Sequence, residues 1–240
     1  MKHWISLSLI LATVAFGKSS VYAEGCGRLD IGPAFARVDI LTSNKTTTRL
    51  NMLAVRGDAT IMLLEGSGLC LKPTAIYGKA KHGEIVSAGL GLGYYVPVYE
   101  CLGVTPYVGC TYTHLQAEVD VPLPIGIELH GVKETFRSLS PFIAVDITYR
   151  FNETWRIYGT IQYCFSRTHT DLKLKAPELG LDQTEKFKSD AKGPNYALVL
   201  EHDLNKCWSI SLGAAYNISL SKEKHGLRAA GAKIGVVYWF

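Results

Sequence analysis

This chain of 240 residues is poor in charge, in long apolar runs and in metal-ligand spacings, and each shortage removes a class of function. Charged residues make up 19% and the formal net charge is +4. It falls to about +2 once the first 23 residues, with Lys2 and Lys18, are removed, which leaves no basic excess for a nucleic-acid partner. Beyond residue 23 no stretch approaches the roughly 20 apolar residues of a spanning helix, which excludes a helical anchor. No Cys-x-x-Cys occurs and no His/Cys spacing suits zinc, so a metal site has no support. Gly89-Leu-Gly91-Leu-Gly93 lacks the glycine spacing and the following helix of a phosphate loop, and no cofactor is expected. Alternate glycines inside a strand instead relieve crowding.

What is present begins with an export signal. Met1-Lys2-His3 precedes an apolar run from Trp4 to Phe16, and Val21-Tyr22-Ala23 has small residues where a signal peptidase reads. The pattern predicts a signal peptide over 1–23 and one mature domain over 24–240. Lipidation at Cys26 is the weaker reading, because Glu24 puts a charge where such sites prefer a small residue.

Period-two alternation then fixes the fold class as all-β. From Leu139 the odd positions Leu139, Pro141, Ile143, Val145, Ile147, Tyr149 and Phe151 are apolar, while Ser138, Ser140, Asp146, Thr148 and Arg150 are polar. After the turn at Asn152-Glu-Thr154, Ile157, Gly159, Ile161, Tyr163 and Phe165 alternate with Arg156, Thr160, Gln162, Cys164 and Ser166. Residues 208–219 repeat the pattern. A soluble sandwich with its apolar face inward shows the same alternation.

The last eight residues point to the membrane alternative. Ile234, Val236, Tyr238 and Phe240 share one face of a terminal strand, and Lys233, Gly235, Val237 and Trp239 the other. Lys233, Gly235, Tyr238 and Phe240 fall in the order polar, Gly, aromatic, terminal aromatic. That order resembles the C-terminal assembly signal of bacterial outer-membrane β-barrels, which implies integral outer-membrane location, a lipid environment and recognition by the barrel-assembly machinery. Connections alternate short and long, as such barrels require. The expected fold is a closed antiparallel barrel of about ten strands, near 28–40, 52–64, 69–79, 84–98, 104–118, 135–151, 155–171, 194–204, 207–219 and 227–240. Eight is the alternative, since Pro33 and Pro73 interrupt the first hairpins. Tyr94, Tyr95, Tyr99, Tyr107, Tyr149, Phe151, Trp155, Tyr158, Trp208 and Tyr238 are expected at the periplasmic rim, where rings favour the headgroup layer.

In this register Arg56, Asp58, Lys72, Asp146, Arg156, Glu201, Asp203 and Lys233 face the lumen. Buried charges must be paired, so they predict either a plug or the lining of a narrow polar path. Of six cysteines, Cys26, Cys70, Cys101 and Cys207 fall near the periplasmic rim and are candidates for disulfides, whose pairing the sequence leaves open. Rim cysteines resemble the cysteine-linked envelopes of chlamydia-like bacteria. Ten strands is also the size of the omptin proteases, which directs attention to His114, Glu118, Asp120, His169 and Asp171 near the outer rim. The paired acids and the Asp-His order of that family are missing, however, since His169-Thr-Asp171 runs the other way.

The expected role is therefore structural or surface interaction without catalysis, through outward loops at 119–134 and 172–193 that meet a surface ligand or an envelope protein. A narrow porin-like channel is the alternative, and a rim-sited hydrolase of omptin type comes third.

Overall fold

Strand-long alternation of polar and apolar residues forces one face of every strand into water and the other into an apolar phase, and here the apolar faces point away from the protein. The computed structural model describes residues 27–43, 45–64, 67–122, 128–176 and 181–240. The signal peptide expected at 1–23 and Cys26 lie outside them. Eleven strands follow in order: β1 Gly27–Thr42, β2 Lys45–Met62, β3 Leu69–Ala80, β4 Gly83–Tyr94, β5 Val96–Tyr99, β6 Leu102–Pro122, β7 Glu128–Arg150, β8 Trp155–Ala176, β9 Leu181–Asp203, β10 Trp208–Ser221 and β11 Gly226–Trp239. β4 and β5 both pair with β6 and are one strand broken at Tyr95, so the wall has ten staves.

Every neighbour is antiparallel, and the sheet closes on itself. β1 pairs with both β2 and β11, with Asp30 opposite Asp58 and Val237, and the β4–β6 pairing completes the ring. Closure leaves no unpaired edge, the condition for strands in lipid. No helix among the described residues is long and apolar enough to cross a membrane.

Exposure decides between sandwich and membrane barrel. Leu53 is 75% exposed, Ile234 65% and Leu212 57%, and with Val55, Ile143, Ile161 and Leu198 they form a continuous outer apolar band. A water-soluble sandwich buries such a face, whereas lipid covers it. Tyr149, Phe151, Trp155, Trp208, Tyr238 and Phe240 ring the periplasmic end, and Phe35, Tyr77, Tyr112, Tyr163, Tyr196 and Tyr216 the outer end. Parity corrects part of the expected periplasmic ring. Tyr95 is buried, and Tyr107 and Tyr158 line the cavity, so these three fill the interior instead of meeting headgroups.

Two periplasmic turns share one device. Asn152 Oδ1 accepts from the N–H of Thr154 and of Trp155, each at 2.9 Å, and Asn205 Oδ1 accepts from the N–H of Cys207 and of Trp208, also at 2.9 Å. The side chain stands in for a turn carbonyl and delivers a tryptophan to the headgroup layer at the start of the next strand.

The long loops expected at 41–51, 119–134 and 172–193 are largely strand. β2 begins at Lys45, β6 runs to Pro122, β7 begins at Glu128, and β8 and β9 reach Ala176 and Leu181. Above the bilayer both faces of a strand meet water, so the polarity alternation that marks a strand in lipid disappears there. β7 and β9 have 23 residues each, against the roughly 10 that a bilayer needs. From Tyr149 to Glu128 the rise at about 3.3 Å per residue and a tilt of about 40° is roughly 50 Å, twice the ~25 Å apolar band. The barrel therefore stands well proud of the outer surface.

Candidate functional site: the barrel interior

The interior has two levels, set by which inward positions carry charge. In the periplasmic half, Arg28 on β1 holds Glu201 on β9 through Nε at 3.2 Å and Nη2 at 3.1 Å, and Asp30 through Nη2 at 3.0 Å. Lys233 Nζ lies 2.9 Å from both Asp30 and Asp58. Arg56 holds Asp58 at 2.9 Å, Lys72 holds Asp146 at 2.6 Å, and Arg156 pairs with Asp203. Five cations thus meet five carboxylates, and Arg150 stands 4.0 Å from Asp203 as a sixth cation at the rim.

Some of these contacts run along the wall, as Arg56–Asp58 does within β2, and others are chords across the lumen. Arg28 lies over the ring of Tyr158 at 4.9 Å, and β8 is four staves from β1 in a wall of ten. Lys72 and Asp146 span three staves, with Tyr107 beneath the ammonium at 5.2 Å and edge-on to Phe142 at 5.8 Å. Tyr107 needs the room that the alternate glycines leave: a Cβ at Gly93 would come within 2.8 Å of its Cβ. Trp239 closes the periplasmic end, its ring 4.4 Å from the Arg156 guanidinium and its Nε1 donating to Ser209 Oγ at 3.0 Å.

Each of the eight charges that the sequence assigns to the lumen has an ion-pair partner in the structure. The sequence reading omitted Arg28 and Asp30, although they lie inside the predicted first strand and two residues apart on its inner face. The terminal motif divides between faces. Tyr238 and Phe240 point to lipid, while Lys233 bridges two aspartates and Gly235 abuts the Asp30 carboxylate, which fills the space a side chain would take.

The outer half is built differently. Val38, Ile40, Leu50, Met52, Leu115, Ala117 and Val132 form a buried apolar cluster joining β1 and β2 to β6 and β7 across the interior. β3 and β4 end at Ala80 and Gly83, below the tips of their neighbours, so β2 and β6 close over this short hairpin. The opposite wall is rich in hydroxyls: Ser140 and Ser166 are 2.7 Å apart, and Ser138, Thr168 and Ser219 continue the ladder. Between the walls, and reaching down to Arg28, Asp58, Lys72 and Asp146 of the network, is a cavity of about 1250 Å³. Glu134, on β7 above the apolar band, lines it with no cationic partner among the described residues, and burial pushes its carboxyl up to about 7.

The histidines considered for catalysis stand elsewhere. His114 and His169 flank Arg137 in the cross-strand register, on the outward face that continues from Tyr112 and Leu139, and Arg137 holds Asp171 at 2.6 Å. Glu118 pairs with His82 at 2.8 Å, and the side chain of Asp120 is outside the described residues. None of His114, Glu118, His169 or Asp171 lines the cavity. Cys70, Cys101, Cys110, Cys164 and Cys207 are free thiols, and Cys70 is buried at the inner wall beside Lys72.

Comparison with known proteins bears on the fold and the family. The chain resembles the outer-membrane protease OmpT of Escherichia coli with a TM-score of 0.59 at 11% identity, covering 89% of this chain and 96% of that one. It resembles the translocator domain of the autotransporter NalP of Neisseria meningitidis with a TM-score of 0.51 at 9% identity, covering 99% and 96%. At these identities the likeness is one of fold alone. No curated protein sequence matches it. Residues 72–233, about two thirds of the chain and including six of the ten inner charges, match one family model. The chain therefore belongs to the Pom family, Protochlamydia outer membrane protein, and is an integral outer-membrane β-barrel.

Proposed function

We propose that this barrel is a non-enzymatic surface protein whose lumen is sealed and whose projecting strands present an interaction surface outside the cell. The observation that carries this reading is the set of chords across the periplasmic half, from Arg28 to Tyr158 and Glu201 and from Lys72 to Asp146. A conducting pore keeps charge on its wall and leaves the axis to water. Here paired side chains occupy the axis, and strands of 21 to 23 residues carry the chain beyond the bilayer. The surface ligand or envelope partner belongs to this projecting part.

A test replaces residues 119–131 with a short turn and inserts an epitope at 177–180 in the otherwise intact chain. The reading expects epitope labelling on whole cells, retained heat-modifiable gel mobility, and loss of cell-surface attachment in the shortened form. Unchanged attachment with the projection removed counts against it. The narrow-channel reading draws on the cavity of about 1250 Å³ with its hydroxyl-lined wall.

A further inference from the structure

Charge on the lipid-facing side of a barrel is costly unless something answers it, and the outer wall of this one carries an unbalanced cluster. Asp39 on β1 shares the outward face with Phe35 and lies directly opposite Arg49 on β2 and Arg228 on β11. Arg49 Nε donates to Asp39 Oδ1 at 2.9 Å, Arg228 Nη2 to Oδ2 at 2.8 Å, and Arg37 Nε to Oδ1 at 3.3 Å. The carboxylate is 5% exposed beneath guanidiniums exposed by 43%, 48% and 37% for Arg37, Arg49 and Arg228. One guanidinium neutralises Asp39, and two positive charges are left over. Among the described residues no second carboxylate pairs with any of the three.

Height along the wall says what faces them. Ten residue steps separate Tyr238, in the periplasmic aromatic ring, from Arg228. At about 3.3 Å per residue and a tilt of about 40°, that is a rise of roughly 25 Å, the height of the apolar band. The cluster therefore sits at the headgroup layer of the outer leaflet. Directly beneath it the outward positions Ala214, Ala230 and Ala232 are small and exposed, between Phe35 on one side and Tyr216 on the other. They leave a shallow apolar trough that rises to the guanidiniums.

We infer that this face binds a phosphorylated glycolipid of the outer leaflet, its phosphate on Arg37, Arg49 and Arg228 and one acyl chain in the alanine trough. Guanidinium forks suit a phosphate bidentately, and the excess of two charges matches a phosphate dianion. Asp39 acts as a positioning residue that holds the three long side chains together. The cluster also spans the β1–β11 seam, so the bound lipid clamps the first strand to the last.

The experiment is native mass spectrometry of the refolded mature chain in detergent with bis-phosphorylated lipid A, the same lipid stripped of phosphate, and inorganic phosphate as competitor. Wild type retains the phosphorylated lipid, the stripped lipid does not bind, and millimolar inorganic phosphate does not displace it. R49Q/R228Q lowers retention by about tenfold or more, from the loss of two charge-assisted contacts. K186Q/K188Q, on cations of the projecting β9, leaves retention unchanged. Equal retention by R49Q/R228Q, equal binding of the stripped lipid, or full displacement by inorganic phosphate each overturns the inference. Folding is checked by heat-modifiable mobility, and should R49Q/R228Q not fold, the two lipids on wild type decide alone.

Discussion

Glu201 is the most exacting point at which to perturb the interior network. Its side chain is fully buried, and one oxygen, Oε2, takes both hydrogen bonds from Arg28. Glu201→Gln keeps the shape and removes the charge, leaving Arg28 to Asp30, a carboxylate that Lys233 already shares. Breaking a buried pair from one side costs about 3–5 kcal/mol, most of it the penalty of a stranded charge. Removing both partners in R28M/E201L strands nothing, so the double variant is expected to lose less than the sum of R28M and E201L by at least about 2 kcal/mol. Trp155 and Trp208 face outward and are replaced by Phe. Trp239, with Arg156 at 4.4 Å and Arg28 at 6.0 Å from its ring, then reports urea unfolding of the mature chain from inside the network. Single-variant losses that add within about 0.5 kcal/mol would refute the reasoning, because independent sites add and a shared pair does not.

Depth in the membrane gives a second test: Leu212→Arg, midway between Trp208 and Tyr216 and 57% exposed, is expected to cost about 2–4 kcal/mol in urea titration, whereas Thr184→Arg on the projection changes stability by less than about 0.5 kcal/mol. The apolar cluster of the outer half predicts that Met52→Ala and Leu115→Ala each cost about 2–5 kcal/mol, read as faster hydrogen exchange in β1, β2, β6 and β7 at the level of the cluster. Glu134 carries a pH signature. Its folded carboxyl, raised to about 7 from an ordinary 4.5, holds its proton more tightly than the unfolded chain does, so stability falls as pH rises from about 4.5 through 7 and is level above. Glu134→Gln is expected to abolish that slope and to stabilise the projection by roughly 1–3 kcal/mol at pH 8, with little change at pH 4. Gly235→Leu is expected to disrupt the Asp30–Lys233 contact behind it and to lower refolding yield, measured by heat-modifiable mobility.

Within the bilayer the strands were legible because lipid on one side and a polar interior on the other enforce period two. Thus 139–151, 155–171 and 207–219 read directly, and the inward charges followed from parity. Above the bilayer that constraint lapses. Lys133, Lys173 and Lys186 lie on paired strands, yet water on both faces leaves no polarity signal, so the projection read as loop. The interior tyrosines were misassigned for a related reason: an aromatic suits either a headgroup ring or a lumen plug, and only its parity separates Tyr107 from Tyr149. The arginine cluster around Asp39 was invisible, because its four members come from three strands and meet only when the first strand pairs with the last.

Single-channel recording of the refolded mature chain in a planar bilayer, with folding confirmed by heat-dependent mobility, tests the sealed lumen most directly. The chords from Arg28, Lys72 and Arg156 predict silence from an inserted barrel at both polarities. Discrete, reproducible current steps from the folded wild-type chain would contradict the account and make the cavity that the network borders part of a conducting path.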